Sequence, residues 1–327
     1  WPDLSGPEAL AATIIGYEVA GRAGLSLHAS VTDYHTSGAW NALGVVAMAA
    51  RLRGQSAAVM REALGIAEYH GPRSQMMREI ANPTMLHDGS GWGGLAGVSA
   101  AILAEQGFTG APAITVEAPE AARFWADLGQ DWQTDEQYIK PYPICRWAHA
   151  PIDAARDLCR EHGVKAEDIR SIRIASFENA VALFPGMPET TSQAQYSLPF
   201  AVAQVILNGR IGVEHISGDA LRDPDAARIV GMITMETDSR HEARFPAGRF
   251  ADVSFTLADG RVLHSGDVSA RGGPDRPSSA DEIVLKFMEF AGPVLGPARA
   301  NALRDAVLAL PDGGNFSAVE AELYAPV

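Results

Sequence analysis

The sequence predicts an α+β protein in which an all-helical domain, residues 1–136 and 276–327, is interrupted by an inserted α+β lid domain, residues 137–275. Three observations predict this class. Helix caps and helical periodicity fill both ends of the chain. Apart from the short AITVE that ends at Glu117, segments with strand-like alternation begin after Glu136 and end before Asp275. The strongest hairpin signal, Asp259-Gly260 between alternating residues, lies in the same interval.

The first part of the chain is predicted to hold four helices. Ser5 and Glu8 form a capping box, and the helix that follows is expected to end near Leu27. Its apolar positions include Ile14, Tyr17, Val19 and Leu25. The other three are Gly38 to Leu52 before Gly54, AAVMREALGIAEYH between Ser56 and Gly71, and about Gly93 to Gly107. In the last of these, Gly93, Gly97 and Ala101 recur once per turn, which predicts close approach of another backbone.

The inserted segment contains both helix-like and strand-like patterns of apolar residues. Pro151 suits the first turn of a helix, IDAARDLCREHG, that Gly163 closes. A strand IRSIRIAS, a helix SLPFAVAQVILNG, a strand MITMETD and the hairpin FADVSFTLADGRVLHSGD follow. After the linker RGGPDRPS, helices return: one behind the capping box Ser279 to Glu282, then ARANALRDAVLAL, then a last helix capped by Ser317 with Glu320.

Composition narrows the possible partners. The chain has 327 residues and a formal charge of −14, so we expect neither nucleic acid nor an anionic membrane as a partner. The uncharged run Gly89 to Ala104 is shorter than the ~18 apolar residues of a membrane span, and it predicts a buried helix. Two cysteines are too few for a disulfide scaffold or a thiolate zinc site. They fit a reducing cytoplasm, which is the expected location.

Residues Gly89 to Gly94, GSGWGG, fit the G-x-G-x-x-G pattern, and Glu117 ends a strand-like AITVE beyond them. A dinucleotide site needs a strand that leads into the first glycine. The preceding IANPTMLHD is broken by Asn82 and Pro83 and is poor in β-branched residues. The sequence therefore favours a tight turn into a glycine-rich packed helix, and no organic cofactor is expected.

Two histidines are candidates for acid–base chemistry. His35, in YHTSG, precedes the second helix, and His87, in MLHDGSG, precedes the fourth. Either one could instead be a cap or a surface group. Because both enter helices of one bundle, both could face one cleft. No H-E-x-x-H pattern occurs and the nine histidines are scattered, so no metal site is expected.

The stretch QYIKPYPICRWAHAPIDAA carries Lys140, Cys145, Arg146 and His149 among three prolines. The prolines lower the entropy cost of aligning these side chains. A lysine near an arginine is shifted toward its neutral form, and an arginine can hold a carboxylate through two hydrogen bonds. The alternative is a domain-joining loop whose cations face solvent, with Cys145 as a buried filler.

With these segments the chain resembles the MmgE/PrpD family. The resemblance is carried by GYEVAGRAG, YHTSGAWNALG, the Ala63 to Ala67 helix, LHDGSGWGGLAGVSAAILAEQGFTGAP, KPYPICRWAHAPIDAA, AQYSLPFAVAQVILNG and SSADEIVLKF. It implies a helical domain with an α+β lid, a homodimer, and catalysis without metal or organic cofactor. The family includes 2-methylcitrate dehydratase, cis-aconitate decarboxylase and iminodisuccinate epimerase.

The resemblance also implies site residues. The family's cleft histidine matches His35, and the lysine of its K-x-(Y/F)-P motif matches Lys140. The histidine that opens the next helix matches His149. The family's L-H-x-G segment matches Leu86 to Gly89, so His87 is retained. Three positions differ from decarboxylase-like members of the family. Thr84 occupies the position of a lysine, Cys145 that of a histidine and Phe200 that of a tyrosine. We therefore expect His35, Lys140 and His87 to be catalytic. We expect a substrate-binding set of Arg146, His149, Cys145 and Thr84.

The shared chemistry of the family begins with removal of a proton α to a carboxylate. The expected function is a 2-methylcitrate dehydratase-like lyase acting on a small di- or tricarboxylate, with an epimerase or a non-catalytic carboxylate-binding protein as alternatives. Family members carry a further segment before GYEV, with an aspartate and a histidine that line the cleft. Either the natural protein is longer, another chain supplies that part, or activity has been lost. A further alternative, a nucleotide-dependent oxidoreductase, is supported by the G-x-G-x-x-G pattern alone.

Overall fold

A computed structural model describes residues 4–85 and 87–325 of the chain. Leu86, the first residue of the L-H-x-G segment, lies outside the described residues. The chain folds as two compact units. Unit 1 comprises Trp1–Glu79, Leu86–Gln137 and Ala291–Val327, and unit 2 comprises Ile80–Met85 and Tyr138–Phe290.

Helices dominate both units, and a small mixed sheet lies in unit 2, so the chain has an α+β fold. The helices are α1 Gly6–Ser30, α2 Gly38–Arg53, α3 Ala57–His70, α4 Met76–Ala81, α5 Ser90–Glu105, α6 Ile114–Glu117, α7 His149–His162, α8 Glu178–Val181, α9 Thr191–Gln195, α10 Leu198–Asn208, α11 Pro224–Val230, α12 Ser239–Glu242, α13 Ala280–Leu295, α14 Pro297–Leu308 and α15 Phe316–Tyr324. The strands are β1 Ile169–Ser176, β2 Ile233–Thr237, β3 Phe250–Leu257, β4 Val262–His264 and β5 Val268–Ser269.

The serine caps of α1 and α3 and the end of α2 are confirmed, but only the serine half of the Ser5–Glu8 capping box forms, because the Glu8 carboxylate accepts from Arg51 instead. The hydroxyl oxygen of Ser5 accepts a hydrogen bond from the N–H of Glu8 at 3.3 Å, and that of Ser56 accepts one from Val59. Gly54 ends α2 with a left-handed φ of 65°. At the other end of the chain the predicted cap is wrong, because Asn315 rather than Ser317 caps α15 and accepts from the N–H of Ser317 at 2.9 Å.

Small residues let α2 and α5 lie almost backbone to backbone. A Cβ built on Gly93 would lie 2.6 Å from the carbonyl oxygen of Gly38, and one on Gly97 would lie 2.5 Å from that of Ala42. Both distances are too short for any side chain, so only glycine fits. The core here is rich in alanine, which explains why so few aromatic residues suffice.

Helix α1 buries a face that its apolar pattern does not indicate. Ile14, Tyr17 and Leu25 are exposed, whereas Glu18 and Arg22 are buried. The Arg22 guanidinium donates to Glu18 at 2.6 Å, to the carbonyl oxygens of residues 124 and 131, and to the carboxylate of residue 127. A charge can be buried at this position because it is paired with two carboxylates and donates four hydrogen bonds.

Unit 2 is built on a five-stranded sheet in the order β2-β1-β3-β4, with β5 paired to β3. β1 and β2 are parallel, and the β1–β3, β3–β4 and β3–β5 pairs are antiparallel. The predicted hairpin is confirmed, and its turn residue Gly260 has a left-handed φ of 89°. Helix α7 packs on β3 and β5 and also on α10, and Gly163 closes α7 as expected.

Two further expectations need correction. The strand-like AITVE is part of a helical turn, α6, because the Glu68 carboxylate accepts the N–H groups of Ile114 at 2.6 Å and Thr115 at 2.9 Å. The uncharged run Gly89 to Ala104 forms α5, but α5 is not the buried helix that was expected, because Trp92, Leu95 and Val98 are exposed. Within residues 4–85 and 87–325, no helix has the length and apolar character needed to cross a membrane.

Candidate active site

A cavity of about 170 Å³ lies within unit 2, between the 139–142 loop, α7, the turn after α10, the 271–278 segment and α13. Its cationic side chains outnumber its acidic ones. The lining residues are Ile139, Lys140, Pro141, Tyr142, Arg156, Gly209, Arg210, Ile211, Arg271, Ser278, Glu282, Ile283, Leu285, Lys286 and Glu289.

A close backbone approach forms one wall of the cavity. Gly272 has a φ of 88°, and a Cβ at this position would lie 2.1 Å from the carbonyl oxygen of Ile139. The N–H of Ile139 donates to the carbonyl of Gly272 at 2.8 Å. The glycine therefore allows the K-P-Y-P loop to lie against the 271–278 segment, which brings Lys140 and Arg271 to the same cavity.

Two lysines line this cavity, in a chain that has only three. Lys140 comes from the loop and Lys286 from α13. Among the described residues, neither ammonium has a hydrogen-bond or ion-pair partner. Burial, followed by the neighbouring positive charge of Lys140, lowers the pKa of Lys286 below the ordinary 10.5. The cavity therefore contains positive charge that the described part of the protein does not neutralise.

A buried network fixes the floor of the cavity. The carboxylate of Asp153, on α7, is fully buried and accepts from the Tyr142 hydroxyl at 2.7 Å, from the Arg271 N–H at 2.9 Å and from Arg271 Nε at 3.0 Å. Arg156 donates to the same hydroxyl at 3.0 Å. Burial and the charge of Asp153 raise the pKa of Tyr142 well above its usual value of 10, so the phenol stays protonated. The network positions Arg271 and Tyr142 rather than leaving them mobile.

Arg146 and His149 are buried next to this region. The Arg146 guanidinium donates to the carbonyl oxygens of Ala270, at 3.0 Å, and Arg271, and it stacks 4.3 Å from the Tyr138 ring centroid. His149 has no exposed surface, and its Nε2 donates to the carbonyl of Ile144 at 3.1 Å. Burial and the charge of Arg146 lower the pKa of His149 well below 6.5, so the ring is neutral. Both side chains thus fix the segment that carries Lys140.

Two other predicted substrate ligands, Cys145 and Thr84, also belong to unit 2. Cys145 is partly exposed, and its N–H donates to the carbonyl of Gln195 at 2.8 Å. Thr84 is exposed. Neither residue lines the cavity. Their role as substrate ligands stays a prediction.

His35 and His87 lie in unit 1, on adjoining loops. The N–H of Ser37 donates to Asp88 Oδ1 at 2.8 Å, so the segment after His35 is tied to the segment after His87. His35 is nearly buried, and its Nδ1 lies 3.1 Å from the carbonyl oxygen of Asp33. Because a carbonyl can only accept, Nδ1 carries the proton, and in the neutral ring Nε2 is left as a base.

His87 is exposed and begins a strained turn. The φ angles of His87, Asp88 and Gly89 are 40°, 64° and 66°, three left-handed residues in succession. Residues that are not glycine adopt this region at a cost. The N–H of Asp88, which donates to both carboxylate oxygens of Glu79 at 2.7 Å, helps to hold the turn. The described residues before Gly89 form helix and turn, so the strand that a dinucleotide fingerprint requires is missing from them.

Among the described residues, one trio of potential metal ligands occurs, in unit 2: Asp238, His241 and Asp252. Arginines occupy it: Arg240 lies 2.8 Å from Asp252 and 3.3 Å from Asp238, and Arg244 donates to His241 Nδ1 at 2.7 Å. His241 Nε2 faces Asp252 at 2.9 Å. A cation would have to displace both guanidinium groups, so the trio is better described as an ion-pair network.

Sequence reasoning found Lys140 but missed Lys286, Tyr142, Asp153 and Arg271. One signal was available, because with three lysines in 327 residues each one is conspicuous. Nothing local indicates that Lys286, within the ordinary amphipathic helix α13, lies at the same cavity as Lys140.

Together these features define a mainly helical α+β protein with a cation-lined cavity in its α+β unit. Residues 1–130 match the MmgE/PrpD N-terminal domain, and residues 142–312 match the MmgE/PrpD C-terminal domain. The chain therefore belongs to the MmgE/PrpD family, as its resemblance predicted. No individual curated protein matches it. Family membership supports an enzyme of dehydratase-like, other lyase-like or isomerase type.

Proposed function

We propose that this protein is a 2-methylcitrate dehydratase-like hydro-lyase, which removes a proton α to a carboxylate of a small di- or tricarboxylate and then expels hydroxide as water. The observation that carries the proposal is the cavity around Lys140. Its lining includes five cationic side chains and two glutamates, in a chain of net charge −14. Such a local reversal of charge favours a small anion.

The cavity suits the electrostatic part of this reaction. Loss of an α-proton moves negative charge onto the neighbouring carboxylate, and fixed cations stabilise that charge without reorganising. Lys140 supplies an ammonium without a partner among the described residues, and Arg271 is held by Asp153 at 3.0 Å. In this proposal Lys140 binds the substrate carboxylate, while Arg146 and His149 hold the loop in position.

Proton transfer is assigned to the histidines. The tautomer that Asp33 imposes on His35 leaves Nε2 as an acceptor, which is what a general base requires. His87 is assigned the acid that protonates the leaving hydroxyl. These roles rest on chemistry and on the family resemblance.

The test measures whether the hydrogen on the carbon α to the carboxylate is removed. The protein is incubated in D₂O with citrate, 2-methylcitrate, cis-aconitate and an aminosuccinate, and proton NMR records two events separately. A dehydratase forms an alkene, which appears as a vinyl proton signal from citrate and as a downfield-shifted methyl signal from 2-methylcitrate, whose product has no vinyl proton. Any enzyme that removes the α-proton reversibly replaces it with deuterium. His35→Gln and Lys140→Met should each lower both rates by about 100-fold or more. The exposed Lys165→Met is the matched lysine control. If both site variants keep the parent rate, the proposal is wrong.

An epimerase is the second candidate, and one observation favours it. Phe200, which replaces a tyrosine of decarboxylase-like members, is fully buried in α10 and has no hydroxyl to offer. An epimerization needs only proton transfer and so depends less on such a group. Deuterium exchange without an alkene signal, accompanied by inversion of the substrate, would select this alternative.

A further inference from the structure

We infer that Lys286 is a second substrate-binding residue, which acts with Lys140 to make the cavity selective for a substrate with at least two carboxylates. The inference rests on the proposed function and names a feature of its substrate. It adds a residue from α13, far from the K-P-Y-P loop in sequence.

The first argument is the pairing of the other cations in the cavity. Three arginines line it, and each has a carboxylate within the protein: Arg271 has Asp153 at 3.0 Å, Arg156 has Asp157 at 2.9 Å, and Arg210 has Glu214. Among the described residues, the two lysines are the cavity cations that lack such a partner. Their charge is available to a ligand.

The second argument concerns the acidic groups nearest to Lys286 on its own helix. Glu282 and Glu289 also line the cavity, at the i−4 and i+3 positions where ion pairs commonly form. Neither lies within 4.0 Å of the Lys286 ammonium. The Glu282 carboxylate instead accepts the N–H of Ser279 at 2.8 Å and lies 3.6 Å from Arg271. Lys286 is thus half-buried beside the cavity without the ion pair that its sequence offers.

The third argument is mutual repulsion. Lys140 lowers the pKa of Lys286, so the two ammonium groups affect each other across the cavity. The groups facing them from all surrounding elements are Arg156, Arg210, Arg271, Glu282, Glu289 and the protonated Tyr142. An anion placed between two cations removes the repulsion and gains two charge-assisted hydrogen bonds. A ligand with one carboxylate satisfies one ammonium and leaves the other.

Cavity size agrees with a compact ligand. A volume of about 170 Å³ is below the roughly 300–1,000 Å³ of sites for drug-sized molecules. It suits a substrate with a short carbon chain and closely spaced carboxylates.

Calorimetry with simple carboxylates tests the inference. The probes are propionate, succinate and tricarballylate, with inorganic phosphate as a compact anion of a different kind. The parent should bind tricarballylate and succinate at least tenfold more tightly than propionate. Lys286→Met should weaken tricarballylate binding by tenfold or more and change propionate binding little, because one charged hydrogen bond is lost. Lys165→Met should bind like the parent.

Several results would overturn the inference. They are unchanged tricarballylate affinity in Lys286→Met, a parent that binds propionate as well as succinate, and tighter binding of phosphate than of succinate. A separate measurement covers the case in which Lys286→Met fails to fold. Reductive methylation with ¹³C labels the three lysines, and Lys140→Met and Lys165→Met assign Lys286 by elimination. Tricarballylate should shift the Lys286 methyl signal and raise its pKa. A Lys286 signal that does not respond refutes the contact.

These results separate the inference from the proposed function. Polycarboxylate binding that depends on Lys286, without deuterium exchange for any substrate, would refute the function and keep the binding site. Turnover together with Lys286-independent binding would keep the function and refute the inference.

Discussion

The carboxylate of Asp153 provides the sharpest test of how the cavity is built. In Asp153→Asn the side chain keeps its shape but loses its charge, and its new amide N–H group takes over one acceptor position. In one orientation of the amide, its NH₂ group faces the Arg271 backbone N–H, which donates to Asp153 at 2.9 Å in the parent. In the other orientation, it faces the Tyr142 hydroxyl and Arg271 Nε. At least one donor therefore faces another donor, and the Arg271 guanidinium loses its counter-charge.

The magnitude follows from burial. Breaking a buried ion pair by removing one partner costs about 3–5 kcal/mol. Asp153 is fully buried, but the side chains of Arg271 and Arg156 are 27% and 18% exposed, so water compensates part of the loss. We therefore expect the lower end, about 3 kcal/mol of unfolding free energy.

Urea denaturation followed by tryptophan fluorescence measures this change. Asp219→Asn is the control, since Asp219 also pairs with an arginine but its side chain is fully exposed, and its midpoint should match the parent's. A loss of less than about 1 kcal/mol in Asp153→Asn would show that the carboxylate is not the charged centre of a buried network.

Two further predictions concern the pH response and helix packing. Because the pKa of His149 is well below 6.5 in the folded protein, the unfolded chain binds the additional proton, and stability should fall below about pH 6.5 by up to about 1.4 kcal/mol per pH unit from this group. In His149→Gln the dependence of the unfolding free energy on pH should flatten between pH 6.5 and 5, with the exposed His162→Gln as the control; an unchanged slope would mean that another group is responsible. Gly97→Ala should destabilise the protein by about 1–3 kcal/mol, because its Cβ would lie 2.5 Å from the Ala42 carbonyl oxygen, while Gly94→Ala, with nothing within 4 Å, should stabilise it by about 0.5–1 kcal/mol. Equal thermal midpoints for the two variants would contradict the close approach of α2 and α5.

Signals that act within a few residues were predictable from the sequence. The caps Ser5 and Ser56 and the turn at Asp259-Gly260 depend on hydrogen bonds and backbone angles that neighbouring residues determine. The close packing at Gly93 and Gly97 was predictable too, because the absence of a side chain once per turn has few other uses in a helix.

Features that depend on distant partners were not predictable. The charged face of α1 is buried because Arg22 meets the carboxylate of Asp127, 105 residues later. The β-branched AITVE segment becomes helical because Glu68 accepts its N–H groups. At the site, Lys140 was found from its proline-rich loop, whereas Lys286 belongs to the cavity only through tertiary packing.

The scarcity of lysine has a practical consequence. Coupling through side-chain amines, a common way to attach proteins to sensor surfaces or dyes, has three side-chain targets in this chain, and two of them line the cavity. Amine attachment would therefore tend to modify the very groups whose ligand is being sought. Immobilisation through carboxylates, which the acidic surface supplies in excess, would leave both ammonium groups intact.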